Sequence, residues 1–399
     1  MPRRTNAQAM IYLDNNATTS LLPEVRAAME PFWTEHFGNP SSAHRFGRLA
    51  RKAIEDAREQ IAQSLGAFPD ELIFTSGATE ANNLAVFGLP RSHGVILSSG
   101  IEHPSVREAV AALVQRGYSQ CEFPVCSDGV VDAEAFDSLC DGEVQLACLM
   151  LANNETGALQ PVRALAHICQ ERRIPLHCDA VQAVGKIPVQ FHELGVTTLS
   201  FSGHKLHGPK GIGGLLVRRG VKLTPLFHGG HQERGRRPGT EPVPLIVGLA
   251  KSIELAHRDR QNRFDHVRQL RQVFLDGLRR RCAPIFVNSP EHDSLPHTLN
   301  VSFPGCRAEV LLMRLDLAGI ACSAGSACSS GSLLPSPALQ AMHLPDERLH
   351  SAVRFSFSHL NTLNEIERAV QLIAEVVCEI RQLTADHSAW SAPSMFASR

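Results

Sequence analysis

The sequence has no strong charge imbalance and no long uncharged apolar run. Its 39 Lys and Arg residues almost equal its 40 Asp and Glu residues, which gives a formal net charge of −1. A nucleic-acid-binding protein normally carries a basic excess, and a membrane-spanning helix needs roughly 18 consecutive apolar residues. We therefore predict a protein that binds no nucleic acid and does not span a membrane.

The sequence also lacks repeats, low-complexity tracts and a secretory signal. Its start, Met-Pro-Arg-Arg-Thr-Asn-Ala-Gln, has no apolar stretch, although a signal peptide requires one. The 11 cysteines are scattered over 399 residues and do not indicate a dense disulfide scaffold. We predict a reducing, cytoplasmic compartment in which a functional cysteine acts as a thiol.

What the sequence does contain is an alternation of helical and strand patterns. Apolar residues recur at helical spacing between Ser42 and Leu65, and again over Val162–Glu171. Strands are predicted at Leu72–Thr75, Val95–Ser98, Leu146–Leu151, Pro175–Cys178, Thr198–Phe201 and Gly213–Val217. The alternation indicates an α/β fold with a mostly parallel sheet, which binds ligands at the carboxyl ends of its strands.

A different pattern follows residue 240. Residues 242–281 predict one long helix that connects two domains. The remaining predicted elements are the strand His297–Phe303, the helix Ala308–Leu317, a strand near Ile320, the strand Val353–Phe357 and the helix Leu363–Leu383. They predict a smaller α+β domain formed by residues 1–15 and 261–399, beside a large domain formed by residues 16–260.

A lysine directly follows one of the predicted strands. Lys205 lies in the stretch Ser202-Gly-His-Lys-Leu-His-Gly208, among small and polar residues. A lysine at the carboxyl edge of a sheet can form a Schiff base with a carbonyl compound if its pKa is lowered. The alternative is a basic surface turn without a catalytic role.

A possible anion site lies where another strand leads into a helix. Residues 75–83 read Thr-Ser-Gly-Ala-Thr-Glu-Ala-Asn-Asn, and the free N–H groups at a helix N-terminus attract anions. The stretch matches neither the Walker A pattern nor the dinucleotide-binding fingerprint. Because an ordinary helix cap would look the same, it indicates a phosphate site only together with other features.

A carboxylate ends a third strand. Asp179 lies in His177-Cys-Asp-Ala-Val-Gln182. In this place a carboxylate can keep a ring nitrogen of a cofactor protonated, so that the ring accepts electrons. The alternative is an N-cap for the helix that follows.

A cysteine lies in a run of small residues. Cys328 belongs to Cys322-Ser-Ala-Gly-Ser-Ala-Cys-Ser-Ser-Gly-Ser332, which offers few side chains that could pack. We predict a mobile loop of about residues 322–334, whose thiol attacks in one place and delivers its cargo in another. The alternative is a flexible connector with an idle cysteine.

These features converge on one class of enzyme. A lysine, an anion-binding helix start, a carboxylate for a ring nitrogen and an arginine for a substrate carboxylate are the parts that a pyridoxal phosphate enzyme requires. The arginine is Arg354, on a strand of the predicted second domain. The sequence therefore favours pyridoxal 5'-phosphate as the cofactor.

On these residues the chain resembles the cysteine desulfurases, in class V of the pyridoxal-phosphate aminotransferases. The matching stretches are residues 12–19, 37–42, 75–80, 102–104, 153–157, 177–182, 202–205, 229–235, 323–328 and 353–356. The resemblance implies the type I fold of pyridoxal-phosphate-dependent transferases and conversion of L-cysteine to L-alanine, with a persulfide on Cys328. It also implies an iron–sulfur scaffold or other acceptor protein that takes the sulfur.

The resemblance is strongest to the nitrogen-fixation branch, in residues 15–19 and 232–240. It implies that the sulfur serves iron–sulfur assembly, including nitrogenase cofactors. The chain departs from the family pattern at Cys322, Ala324 and Leu334. The departure at Cys322 implies a disulfide with Cys328 under oxidation.

The resemblance also implies which residues bind the cofactor. Lys205 would hold it as a Schiff base, and Thr240 would reach the phosphate bound by a neighbouring subunit, which implies a homodimer. The residues implied to bind the phosphate are Ala78, Thr79, Ser202 and His204. The residues implied around the ring are His103 by stacking, Asp179 at the nitrogen, Gln182 at the phenolic oxygen, and Asn154.

Substrate binding and catalysis follow from the same matches. Asn154 and Arg354 would bind the substrate carboxylate, and the amine of Lys205 would remove the α-proton. Cys328 would attack the substrate sulfur as a thiolate, with His103 accepting its proton.

Two other functions fit these motifs. One is a selenocysteine lyase or another class V activity, and the other is a catalytically silent scaffold for iron–sulfur assembly. A scaffold would need neither the lysine nor the aspartate nor the cysteine. No metal is required, because His204 with His207, and His228 with His231, lack a third ligand; the resemblance leaves room for a cluster contact at Cys328.

Overall fold

The computed structural model describes residues 10–324 and 335–390, with side chains as far as Leu383. The strands are β1 (Ile11–Tyr12), β2 (Leu72–Thr75), β3 (Val95–Ser99), β4 (Ser119–Phe123), β5 (Val144–Cys148), β6 (Leu176–Asp179), β7 (Thr198–Ser202), β8 (Gly213–Val217), β9 (Phe286–Val287), β10 (Thr298–Ser302), β11 (Ile320–Ala321) and β12 (Ala352–Ser356). The helices are α1 (Pro23–Met29), α2 (Pro31–Thr34), α3 (Arg45–Ser64), α4 (Ala78–Gly88), α5 (Pro104–Val114), α6 (Ala133–Leu139), α7 (Val162–Arg172), α8 (Phe191–Leu194), α9 (Val243–Arg258), α10 (Arg260–Arg281), α11 (Ala308–Leu317), α12 (Pro337–Ala341), α13 (Asp346–Leu349) and α14 (Leu363–Trp390).

Seven strands form the large sheet, in the order β2-β8-β7-β6-β5-β3-β4. Only β8 runs against its neighbours, β2 and β7, and the other pairs are parallel. Every residue of β2, β6, β7 and β8 is buried, as expected for a sheet with helices on both faces. The predicted α/β fold with a mostly parallel sheet is confirmed.

Helices cover both faces of this sheet. On one face α3 presents Ala50, Ile54, Ala57 and Ile61 to a core shared with α7 and α9. On the other face α4 and α5 close a second core, which includes Leu84. The spacing of three and four residues along α3 places these side chains on one side of the helix.

A separate core lies among the C-terminal elements. The antiparallel sheet β12-β10-β9 shares a hydrophobic core with α10 and α14, and the ring of Phe274 lies 4.9 Å from that of Phe355 and 5.3 Å from that of Phe357. Strand β1 pairs with β11, so the described N-terminus joins this region. The predicted domain boundaries at residues 16 and 260 stay a prediction.

Two of the differences between the structure and the sequence predictions have a clear physical reason. The helix predicted for residues 242–281 is two helices, because Asp259 leaves the helical backbone conformation at φ −102° and ψ 7°. Its carboxylate accepts hydrogen bonds from Arg258 and Arg263 at the break. Strand β4 was not predicted, since it lies at the sheet edge and is mostly exposed and polar.

Candidate active site

The carboxyl ends of β6 and β7 and the N-terminus of α4 surround a cavity of about 440 Å³. Most of the predicted cofactor residues line it, namely Ala78, Thr79, His103, Asn154, Asp179, Gln182, Ser202, His204 and Lys205. Arg354 and Thr240 are not among its lining residues, and Cys328 lies outside the described residues. The fold thus brings residues from five separate sequence motifs to one edge of the sheet.

Lys205 ends a single turn of 3-10 helix that follows β7 directly. Its Nζ donates to the carbonyl oxygens of Asn16 at 2.5 Å and Ala17 at 2.8 Å. Thr19 fixes this N-terminal segment, because its N–H and its hydroxyl donate to the carbonyl oxygen of His204 at 3.0 and 2.9 Å. The sequence motifs did not reveal these partners, which are backbone carbonyls 189 and 188 positions away.

Asp179 is held by neutral groups. Its Oδ2 accepts from the side-chain amide of Asn82 at 2.8 Å, and its Oδ1 accepts from the N–H of Val181 at 3.0 Å. The amide oxygen of Asn82 in turn lies 3.0 Å from Nε2 of His177. Burial lowers the pKa of His177 to about 4, against the effect of the Asp179 charge. The neutral ring donates to Asn82 through Nε2. This hydrogen bond orients Asn82, which in turn orients the Asp179 carboxylate.

His103 caps the N-terminus of α5. Its Nδ1 accepts from the N–H of Ser105 at 3.1 Å and lies 2.8 Å from the Ser105 hydroxyl. Burial lowers the pKa of His103, although the charge of Asp179 opposes this shift. A backbone N–H can only donate, so Nδ1 carries no hydrogen and the neutral ring carries it on Nε2. The predicted role of His103 as a proton acceptor stays a prediction.

The N-terminus of α4 forms the anion-binding side of the cavity. The helix begins at Ala78, so its first N–H groups lack partners within the helix. Glu80 in the first turn does not leave a free negative charge there, because Arg237 pairs with it at 2.8 Å. Burial and nearby lysines lower the pKa of His204 to about 4. The other polar side chains on this side are Ser76, Thr79, Ser202 and Lys210.

Arg354 projects from β12 with only 2% of its surface exposed. Its Nη1 donates to the carbonyl oxygen of Asn154 at 3.0 Å, and its Nη2 pairs with Asp14 at 2.8 Å. The guanidinium therefore lies beside a residue that lines the cavity. A substrate carboxylate that approached it would compete with Asp14 for Nη2.

The residues that flank the undescribed segment are attached close to this arginine. The backbone of Ser323 exchanges two hydrogen bonds with that of Arg354, at 3.2 and 2.7 Å. The hydroxyl of Ser336 donates to the carboxylate of Glu155 at 2.5 Å, next to Asn154 in the chain. Both described ends of the segment that contains Cys328 thus lie at the predicted substrate-binding residues.

Thr240 is exposed and lies outside the cavity. Its neighbour Glu241 pairs with Arg51 of α3 at 2.8 Å. The predicted contact of Thr240 with a neighbouring subunit stays a prediction.

Two of the histidines considered as metal ligands, His204 and His207, have other partners. Nδ1 of His204 lies 3.1 Å from the Thr18 hydroxyl. His207 donates from Nδ1 to the carbonyl oxygen of Ser20 at 2.9 Å and accepts at Nε2 from the Ser358 hydroxyl at 3.0 Å. Over residues 10–324 and 335–390, no three His, Cys, Asp or Glu side chains form a group that could hold a metal ion. The same part of the chain contains no helix with the length and apolarity to cross a bilayer.

Comparisons with known proteins identify the family of the chain. The family model "Aminotransferase class-V" matches residues 11–369. A cysteine desulfurase IscS of Dictyoglomus turgidum is 41% identical over 384 residues, which cover 95% of this chain and 98% of that protein. The cysteine desulfurase NifS of Azotobacter vinelandii is 40% identical over 380 residues, which cover 94% of each.

Solved structures are similar to this chain over most of its length. A structure titled "NIFS-LIKE PROTEIN" superimposes with a TM-score of 0.88 at 37% identity and covers 93% of this chain and 100% of its own. A second, titled "SspA in complex with cysteine", gives a TM-score of 0.79 at 33% identity over 88% of this chain and 99% of its own. Because family model, relatives and structures agree over nearly the whole length, the chain belongs to the aminotransferase class-V family, in the group formed by the cysteine desulfurases.

Proposed function

We propose that this protein is a pyridoxal-phosphate-dependent cysteine desulfurase. It converts L-cysteine to L-alanine and carries the sulfur as a persulfide on Cys328. The observation that supports this most strongly is that the Lys205 amine, the Asp179 carboxylate and the N-terminus of α4 line one cavity. The relatives are named cysteine desulfurases, which favours this reaction over the other reactions of the class-V family.

The residues of the cavity fit pyridoxal phosphate by charge and by hydrogen-bonding chemistry. When bound, this cofactor supplies an aldehyde and a ring that accepts the electron pair left when the α-proton of the substrate is removed. Lys205 would hold the aldehyde carbon, Asp179 would pair with the ring N–H, and the start of α4 with Ser202 would bind the phosphate. Arg354 and Asn154 would orient the substrate carboxylate.

The chain's own groups then move the protons. The Lys205 amine takes up the α-proton, and the carbonyls of Asn16 and Ala17 that now bind it keep the amine near the cavity. His103, whose ring is neutral because burial lowers its pKa, would accept the proton of the Cys328 thiol. Asp179, fixed by Asn82, holds the proton on the ring nitrogen.

Cys328 completes the reaction as the sulfur carrier. Its thiolate attacks the substrate sulfur, so that an S–S bond forms and the substrate C–S bond breaks. The carbon keeps the electron pair and is protonated, which gives L-alanine. We propose that the persulfide is then passed to an acceptor protein for iron–sulfur assembly, including the nitrogenase cofactors implied by the sequence. Every cysteine in the described part of the chain is a free thiol, in keeping with a reducing compartment such as the cytoplasm.

We also infer a homodimer. Trp33, Phe37 and Phe46 are 57%, 69% and 48% exposed, and the rings of Phe37 and Phe46 lie 5.6 Å apart. A cluster of exposed aromatic side chains is typical of an interface. Light scattering after gel filtration should give twice the chain mass of 43.5 kDa; a mass of one chain would contradict the inference.

The sulfur carrier is tested by mass spectrometry. After incubation with L-cysteine, the peptide that contains Cys328 should gain the mass of one sulfur atom. Cys328→Ser should keep the cofactor and release no sulfide. The control is Cys126→Ser, at an exposed cysteine, which should behave as the wild type. Full sulfide release by Cys328→Ser would show that another group is the nucleophile.

A further inference from the structure

A second cavity adjoins Lys205. It has a volume of about 70 Å³ and lies between the turn at Gly185 and Lys186, the junction of α9 and α10, and the segments around His297 and Ser358. This space has room for water molecules or for a monatomic ion.

The side chains around this second cavity are strongly basic. The cationic residues that line it are Lys186, Lys205, Arg260 and Arg263, with the histidines His207, His297 and His359. No Asp or Glu is among its described lining residues. Asp259 pairs with Arg263 at 3.3 Å but also binds Arg258, so it offsets only part of the positive charge.

Lys186 lacks an anionic partner. In the described part of the chain, its Nζ donates to a neutral group, Oε1 of Gln182, at 3.0 Å, and no carboxylate forms an ion pair with it. Burial, together with the charges of Lys205 and Arg354, holds the pKa of Lys186 well below its ordinary value. A lysine in this position is stabilised as a cation only if an anion lies beside it.

His297 adds a second, independent sign of a missing partner. The residue is 5% exposed, and within the described residues its Nε2 is buried without a hydrogen-bond partner. Buried polar nitrogens are nearly always paired with protein, water or a ligand. As an Nε2–H tautomer, the ring would need an acceptor, which an anion could supply. His207 cannot serve in this way, because both of its ring nitrogens are already paired.

We propose that this cavity binds one small monovalent inorganic anion, of the size of chloride, between Lys186 and His297. The site is connected to the catalytic lysine by hydrogen bonds. Gln182 accepts from Lys186 at 3.0 Å and donates to the carbonyl oxygen of Asn16 at 3.1 Å, and Lys205 donates to the same oxygen at 2.5 Å. The anion therefore offsets the repulsion between two lysines that share one side of the active site.

Bromide, which scatters X-rays anomalously, tests the site directly. Crystals of the full-length holoenzyme soaked in sodium bromide should show an anomalous peak within hydrogen-bonding distance of Nζ of Lys186 and Nε2 of His297. The peak should persist in the control Lys222→Met, at an exposed lysine, and be absent in Lys186→Met. Wild-type crystals with bromide only at the surface, and water in this cavity, would overturn the proposal.

A measurement in solution does not depend on the folding of the Lys186 variant. A ligand that binds only the folded state raises the melting temperature as its concentration rises. Wild type and Lys222→Met should melt at a higher temperature in sodium chloride than in sodium gluconate of equal ionic strength, because the site is proposed to bind a small inorganic anion and gluconate is a bulky organic one. Lys186→Met should lose that difference. Equal melting temperatures of the wild type in the two salts would overturn the proposal.

Discussion

The two ends of the active-site cavity hold their charged groups in opposite ways. At one end the Asp179 carboxylate is held by the neutral donors Asn82 and Val181. At the other end the Lys205 amine is held by backbone carbonyls, with Lys186 and Lys210 among the surrounding cations. The cavity therefore offers one anionic and one cationic group, which suits a cofactor with a protonated ring nitrogen and an aldehyde that reacts with an amine.

The largest expected effect comes from the positive end. Lys205→Ala removes the amine that takes up the α-proton, so we expect sulfide release to fall by at least about 1,000-fold. The comparison is with Lys222→Ala, at an exposed lysine, which should retain wild-type turnover. A Lys205→Ala protein with more than about a tenth of wild-type kcat would show that another base acts.

Loss of the Asp179 charge at the negative end should lower turnover nearly as much. Asp179→Asn keeps the shape and the hydrogen bond to Val181 but removes the charge that holds the ring nitrogen protonated. We expect kcat to fall about 100-fold or more, with a smaller change in KM. Asp137→Asn, at a carboxylate that pairs with Arg172 on the surface, should leave kcat unchanged. Equal kcat for the two variants would break the proposed contrast between the ends.

Glu102, beside this negative end, should affect stability instead of turnover. Burial raises its pKa to about 8, partly opposed by the N–H of Met150, so the folded protein keeps it protonated. In the unfolded chain it ionises near its ordinary pKa of about 4.3. The folded protein therefore holds this proton more tightly than the unfolded chain does. The free energy of unfolding falls as the pH rises from the unfolded pKa towards 8, by up to about 1.4 kcal/mol for each pH unit.

Glu102→Gln removes this titration and keeps an oxygen for the Met150 N–H. Urea unfolding of both proteins at pH 5 and pH 8 should show a smaller loss of stability in the variant. Parallel losses in the two proteins would mean that Glu102 is ionised in the folded state.

The smallest effect is expected for a charge pair far from the cavity. Lys52 and Asp56 on α3 are paired at 2.6 Å, with 70% and 60% of their side chains exposed. Water screens such pairs, so Lys52→Ala should lower the free energy of unfolding by less than about 0.5 kcal/mol. A loss above about 1 kcal/mol in urea unfolding would show that exposed charges matter here as much as buried ones.

Sequence reasoning identified the groups whose signal is local. Lys205 and Asp179 each follow a short apolar run, and the end of a strand in a parallel sheet places a side chain at the ligand edge. The groups that hold them were missed. Asn82 lies inside a stretch read only as a helix start, and the carbonyls of Asn16 and Ala17 carry no side-chain signal. Lys186 was missed as well, because its burial depends on helices that are distant in sequence.

The helix break at Asp259 was missed for a similar reason. Charged residues flank it on both sides, and nothing like proline or glycine marks the end of α9. Strand β4 was missed because it is an edge strand with mostly polar residues, so it shows no apolar periodicity.

The measurement that tests the account most directly is borohydride reduction of the purified full-length protein with pyridoxal phosphate, followed by peptide mapping. We predict a pyridoxyl group on the peptide that contains Lys205 and on no other lysine peptide. A pyridoxyl group at a different lysine, or at none, would contradict the central claim.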